Sequence, residues 1–213
     1  MLDFVDMRIT ELLCSRLCHE LASPIGAINN GIEMIEEFDD SMLPDALPLI
    51  GSSAKLVAAR LNFYRMAYGA AGNNSIASYS DMKQLADSYF EEGRTQLMWP
   101  GDPMVPDLGN GWGKLLLNML PLAADTLPRG GSLSVAFEEA TASLRMSVTA
   151  EGEGPRISEE CGQALLPETS PEILTPRSVH AYFVSRLAKQ LQSALEVAQE
   201  GTGPIEFSAR LTR

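Results

Sequence analysis

Residues 19–28 read His19-Glu20-Leu21-Ala22-Ser23-Pro24-Ile25-Gly26-Ala27-Ile28, and the first third of the chain takes its meaning from them. The stretch lies inside a longer apolar periodicity. Cys14, Leu17, Leu21, Ile28, Ile35 and Phe38 share one seam when spaced by alternating threes and fours, and Ile25 and Ile32 widen it on one side. This spacing predicts a single helix over about 6–37. His19 then falls at heptad position f, nearly opposite the seam, so its imidazole is expected in solvent in mid-helix. Its neighbours Ser15, Ala22, Ser23 and Gly26 are small or polar. Gly26 costs a helix about 1 kcal/mol relative to Ala, so its presence asks for a reason. A low strip beside the ring, along which another protein can approach closely, supplies one.

Outward from this helix the chain turns and returns. Phe38-Asp39-Asp40-Ser41 supplies turn chemistry, and Pro44 suits the first turn of a second helix. That helix is expected to reach about Ala71, with a stripe of Ile50, Ala54, Val57, Leu61, Tyr64 and Tyr68, before Gly69, Gly72, Asn73 and Asn74 form a linker. The two helices make an antiparallel hairpin whose wide apolar stripe is wet when alone. A second copy can cover it as a four-helix bundle, or the rest of the chain can fold over it. The expectation is a homodimeric bundle over residues 1–75.

Residues 76–213 change to a mixed α/β pattern. Helices are expected at 81–92, 111–126 and 179–192, and strands at 96–99, 132–137, 143–150, 194–197 and 205–211. Arg129-Gly130-Gly131 marks a turn, and 151–177, rich in Pro, Gly and Glu, reads as a loop with one short helix. The fold class is therefore α plus α/β: an N-terminal helical hairpin followed by a C-terminal α/β domain.

Composition narrows the function. A net charge of −12, with no basic face in either half, argues against nucleic acid, whose phosphates need clustered Lys and Arg. No apolar run approaches the roughly 18 residues that span a bilayer, and the N-terminus is acidic, so a cytoplasmic protein without a membrane partner is expected. The three cysteines are too few for a disulfide scaffold. Cys14 and Cys18 share a helical face, but His19 lies about 100° further round, so a metal site is not expected there.

His19 carries the chemistry. Free imidazole, with a pKa of about 6.5, is largely neutral and nucleophilic near pH 7. A phosphoryl group on a ring nitrogen sits on a labile P–N bond and passes readily to a carboxylate and back. On position alone, an idle surface histidine is the better reading. Residues 19–28, however, closely resemble the phosphoacceptor box of histidine kinases, H-E-(L/I)-x-(T/S)-P-(L/I)-x-x-I. The match includes Pro24, a residue that costs a helix interior about 3 kcal/mol. In those kinases the box lies on the first helix of a dimeric hairpin.

The second half resembles the ATP-binding α/β sandwich of the same kinases, with 115–131 matching its N-box helix and the turn after it. Three departures stand out. The family's magnesium-binding asparagine falls on Leu122, which offers no oxygen. Its adenine-reading aspartate falls on Ala150, although Gly152 and Gly154 remain. The glycines that let backbone approach phosphate fall on Ser178 and His180. A kinase-like hairpin joined to a disabled ATP-binding domain is the pattern of the ChpT family of bacterial histidine phosphotransferases.

That resemblance implies a homodimer that relays phosphoryl groups through His19 between response-regulator receiver domains, one of them belonging to a hybrid histidine kinase. It implies no ATP and no cofactor bound by this chain, with Mg²⁺ carried by the partner receiver. Glu20 is a candidate base or polariser toward His19, or a solvated acid. Ser23 is a candidate donor to phosphoryl oxygens. Ser15, Arg16, Ala22, Gly26 and Asn30 form the expected docking strip; Arg16 balances phosphate charge or pairs with Glu20 one turn on. His180 reads as a structural remnant. Two other readings are an active autokinase, which Leu122, Ala150, Ser178 and His180 oppose, and a non-catalytic scaffold, which the intact acceptor box opposes.

Overall fold

Helix α1 (Met7–Phe38) and helix α2 (Leu43–Ala67) run antiparallel, joined by a 3-10 turn over Asp39–Met42. The computed structural model describes residues 7–69, 79–99, 111–140 and 143–212. Ala71, Gly72, Asn73 and Asn74 of the expected helix end and linker lie outside these residues, as does the side chain of Phe38 on the expected seam. Pro44 occupies the first turn of α2 beside Asp45, where a missing N–H costs nothing and an acid suits the helix dipole. The helices approach closely at Gly31, where a Cβ would stand 2.6 Å from Ile50 Cγ1. Gly26 is different: a Cβ there would meet nothing within 4 Å. No contact among the described residues explains that glycine.

The seam divides in a way that periodicity did not anticipate. Leu17, Leu21, Ile28 and Ile35 are half-buried, whereas Cys14 is exposed. Ile9, Leu12, Leu13, Leu17 and Leu21 pack against the core that Phe63, Tyr64 and Ala67 of α2 share with the C-terminal part, so the chain itself covers this end of the stripe. Ile25 and Ile32 stay 44% and 43% exposed, and Leu47 and Leu61 on α2 stay 57% and 51% exposed.

The C-terminal part is a two-layer α/β sandwich. Helix α3 (Tyr79–Phe90), strand β1 (Thr95–Met98) and helix α4 (Trp112–Ala124) lead to strands β2 (Gly131–Ala140) and β3 (Ser143–Gly152). A short helix α5 (Glu159–Leu165) and a 3-10 turn (Pro171–Ile173) precede helix α6 (Val179–Gln190), strand β4 (Glu196–Gln199) and strand β5 (Ile205–Thr212). The sheet order is β1-β2-β3-β5-β4, with β1 parallel to β2 and the other pairs antiparallel. Strand periodicity sends Leu133, Val135, Leu144, Met146, Val148, Ile205 and Phe207 inward under α4. The opposite face carries Arg145, paired with Glu206 and with Ser208 Oγ at 3.0 Å. Gly130, at φ 79°, makes the turn into β2 that the paired glycines announced.

Helix α4 joins the two halves. It is buried from Trp112 to Ala123, between the sheet on one side and α2 on the other. Its polar residues are spent on α2. Asn118 Nδ2 donates to Ala67 O at 2.6 Å, and Lys114 Nζ to Tyr68 O at 3.3 Å and Gly69 O at 3.2 Å. The last carbonyls of a helix have no partner within it, so α4 caps α2 from another layer of the fold. At the other end, Arg8 of α1 donates to Pro171 O at 3.1 Å and Leu174 O at 3.0 Å.

Candidate functional site: the groove beside His19

Helix α1 runs unbroken through Pro24. Proline has no N–H, so the carbonyl four residues earlier, that of Glu20, loses its helical donor. The structure fills the gap from α2, where Arg60 Nη1 donates to Glu20 O. Beside this contact a groove of about 420 Å³ opens between the helices, lined by His19, Ser23, Ser53, Leu56 and Arg60 among others. His19 is exposed at its edge, and Ser23 follows one turn on, also exposed. Ser15, Ala22 and Asn30 are exposed and Gly26 half-buried, so four residues of the expected docking strip lie along the accessible side of α1.

Arg16 departs from that strip. Its side chain is only 14% exposed and reaches Asp125 at the end of α4, with Nη2 to Oδ2 at 2.7 Å. It also stands 3.0 Å from Glu20 Oε1, an ion pair without hydrogen-bond alignment. Glu20 is engaged on its other oxygen, accepting from Tyr64 Oη and, at 3.3 Å, from Tyr89 Oη. Burial raises the pKa of Tyr64, and neighbouring Tyr89 and Glu20 raise it further; Tyr68 and Tyr89 are raised by burial too. These phenols stay protonated, and Tyr64 and Tyr89 donate. Burial works against the Arg16 charge, yet Asp125 and Glu20 hold its pKa above the ordinary arginine value. The cluster ties α1 to α2, α3 and the end of α4.

The second histidine is in a different world. His180 is fully buried, with Nε2 3.3 Å from Asn118 Oδ1. Because Asn118 Nδ2 already donates to Ala67 O and Lys114 O, its Oδ1 is the acceptor and the His180 proton lies on Nε2. Nδ1 has no partner among the described residues, and burial followed by the Arg16 charge pushes the pKa of His180 well below the ordinary value. Leu122, Ala150 and Ser178 are buried to 3%, 0% and 1% exposure. Among the described residues no three His, Cys, Asp or Glu side chains converge where a metal could sit.

Sequence reasoning missed Arg60, Tyr64 and Tyr89 as partners of Glu20. One signal was present: Pro24, four residues after Glu20, announces an unpaired carbonyl that some donor must satisfy. Which residue of α2 would reach it depends on the rotation of the hairpin, and that is set by Gly31 and the packing of α4.

Comparison with known proteins agrees with this arrangement. The family of the histidine phosphotransferase C-terminal domain matches residues 79–203. Protein phosphotransferase ChpT of Brucella abortus is 37% identical over 200 residues, 93% of each chain. A solved structure described as a bacterial phosphotransferase superposes with a TM-score of 0.81 at 34% identity, covering 98% of each chain. The last two likenesses span the hairpin and the sandwich together, and the chain belongs to the ChpT-type histidine phosphotransferases.

Proposed function

We propose that His19 is the residue through which this phosphotransferase relays phosphoryl groups between response-regulator receiver domains. The observation that carries the reading is the contrast between the two histidines: His19 is exposed at the edge of a groove, and His180 is fully buried. Ser23 serves the phosphoryl oxygens as a hydroxyl donor, and Ser15, Ala22, Gly26 and Asn30 form the docking strip. The space beside Gly26 supports this, since none of the described residues requires a glycine there. Glu20 works by positioning: its carboxylate, held by Arg16, Tyr64 and Tyr89, sets the rotation of α1 and so the direction of His19. The test is incubation with a phosphorylated receiver. Wild type becomes labelled, the label is lost in acid and kept in base, and His19→Gln stays unlabelled. A labelled His19→Gln variant would overturn the assignment.

The same reading extends to partners and cofactors. Residues 1–75 act as the acceptor and dimerisation unit and residues 76–213 as an ATP-binding-type domain that takes no nucleotide. Leu122, Ala150, Ser178 and His180 support this, being buried side chains with no polar group presented to a phosphate. Calorimetry with ATP is expected to show no binding. The dimer is supported by apolar side chains repeating every seven residues on exposed faces: Cys18, Ile25 and Ile32 on α1, and Leu47, Ala54 and Leu61 on α2. Mg²⁺ enters with the receiver, one donor being the receiver of a hybrid kinase. No described helix is long and apolar enough to cross a membrane, and a cytoplasmic location fits the acidic chain.

A further inference from the structure

Arg60 has a position that its capping role alone does not use up. A guanidinium carries five N–H donors, and one of them meets the Glu20 carbonyl that Pro24 leaves open. The same side chain lines the groove with His19 and Ser23. Among the described residues no carboxylate forms an ion pair with it. The neighbouring cation Arg16 is neutralised by Asp125 and Glu20. The net charge of −12 disfavours an incoming phosphoryl dianion, and among the described residues Arg60 is the cation that lines the groove.

We propose that Arg60 is a catalytic residue of the transfer, contacting the non-bridging oxygens of the phosphoryl group as it moves between a receiver carboxylate and His19. The inference rests on His19 being the acceptor. In the forward step the unprotonated ring nitrogen attacks phosphorus. A P–N bond forms as the acyl P–O bond breaks, and the receiver's aspartate departs as carboxylate with the electron pair. Charge on the equatorial oxygens is what a planar, permanently charged fork stabilises. Its tether to the Glu20 carbonyl removes one source of freedom beforehand, so less reorganisation is needed when the group arrives.

Capping and catalysis are separated by Pro24→Ala, which restores an N–H to the helix and so relieves Arg60 of the Glu20 carbonyl. Single-turnover transfer from a phosphorylated receiver is measured at saturation for the full chain, alongside receiver affinity and thermal unfolding. Pro24→Ala is expected to transfer more slowly than wild type, because Arg60 loses its tether, and Pro24→Ala with Arg60→Gln at least about tenfold more slowly than Pro24→Ala alone, a smaller loss than at a buried oxyanion site because the groove is open to water. Receiver affinity should change far less than the rate. Equal rates for the single and double variants would reduce Arg60 to a cap and overturn the inference. Should Pro24→Ala itself abolish transfer, Arg60→Lys against Arg60→Gln in the native background decides: a faster Lys variant upholds the role of charge, and equal rates reject it. His19→Gln runs in parallel, and label on that variant would instead defeat the acceptor assignment.

Discussion

Asn118 of α4 stands 2.6 Å from the carbonyl of Ala67, the last residue of α2, and holds His180 through its other amide atom. One buried side chain thus closes a helix end and fixes the tautomer of a histidine. Asn118→Leu keeps the volume but strips partners from Ala67 O and from His180 Nε2–H. Each of these two buried groups left unsatisfied costs about 1–3 kcal/mol, so the variant should lose about 2–6 kcal/mol in urea unfolding. A loss below about 1 kcal/mol would mean that the cap carries little.

His180 predicts a pH dependence. Its pKa is lowered in the folded chain, so the unfolded chain binds a proton below pH about 6.5 that the folded chain refuses. This contribution to stability is complete above that pH and is lost as pH falls toward the folded value, at up to about 1.4 kcal/mol per unit. His180→Gln keeps a donor for Asn118 and cannot titrate. Comparing urea midpoints at pH 7 and 5.5 should show a smaller acid-side loss for the variant. Identical losses in the two proteins would remove His180 as the cause.

The apolar residues of α1 separate into two kinds, and a charge tells them apart. Ile32 is 43% exposed, so Ile32→Glu should leave the fold intact while turning a dimer into a monomer in light scattering. Leu61→Glu should do the same. Leu21 packs on the core of the same chain, and Leu21→Glu should instead lower thermal stability whatever the oligomeric state. A wild-type protein that scatters as a monomer at micromolar concentration would count against the bundle.

Glu20 offers a test of positioning against proton transfer. Glu20→Gln can still accept from Tyr64 and Tyr89 but cannot act as a base, whereas Glu20→Ala loses both functions. Positioning predicts that Gln stays within a few-fold of wild type in receiver-to-His19 transfer, with an unchanged pH profile, and that Ala falls well below it. Equal, large losses in the two variants would favour the base.

The hairpin was legible because a 3.5-residue period, a turn and Pro44 all agree, and the exposure of His19 followed from that period. Strand alternation placed all five strands to within a few residues, since the sheet buries one face only. Three things were not legible. Periodicity marks a residue as apolar-facing without naming what covers it, so Leu17 and Leu21, which pack on the core that α2 shares with the C-terminal part, looked the same as Ile25 and Ile32, which do not. Arg16 looked like surface because its partner Asp125 lies over a hundred residues away in sequence. Arg60 gave no sign at all, because its meaning comes from a carbonyl on the other helix.

The capping of α2 by Lys114 and Asn118 also bears on how the chain comes apart. Helix end and α/β core share the same hydrogen bonds and the same aromatic contacts, among them Phe63 stacked 4.1 Å from Tyr89. Neither half can melt without exposing the other, so the protein should lose structure in one cooperative step. A chain cut between residues 69 and 79 should still migrate as a single particle under native conditions. It is the interface, rather than the connecting peptide, that makes one object of two halves.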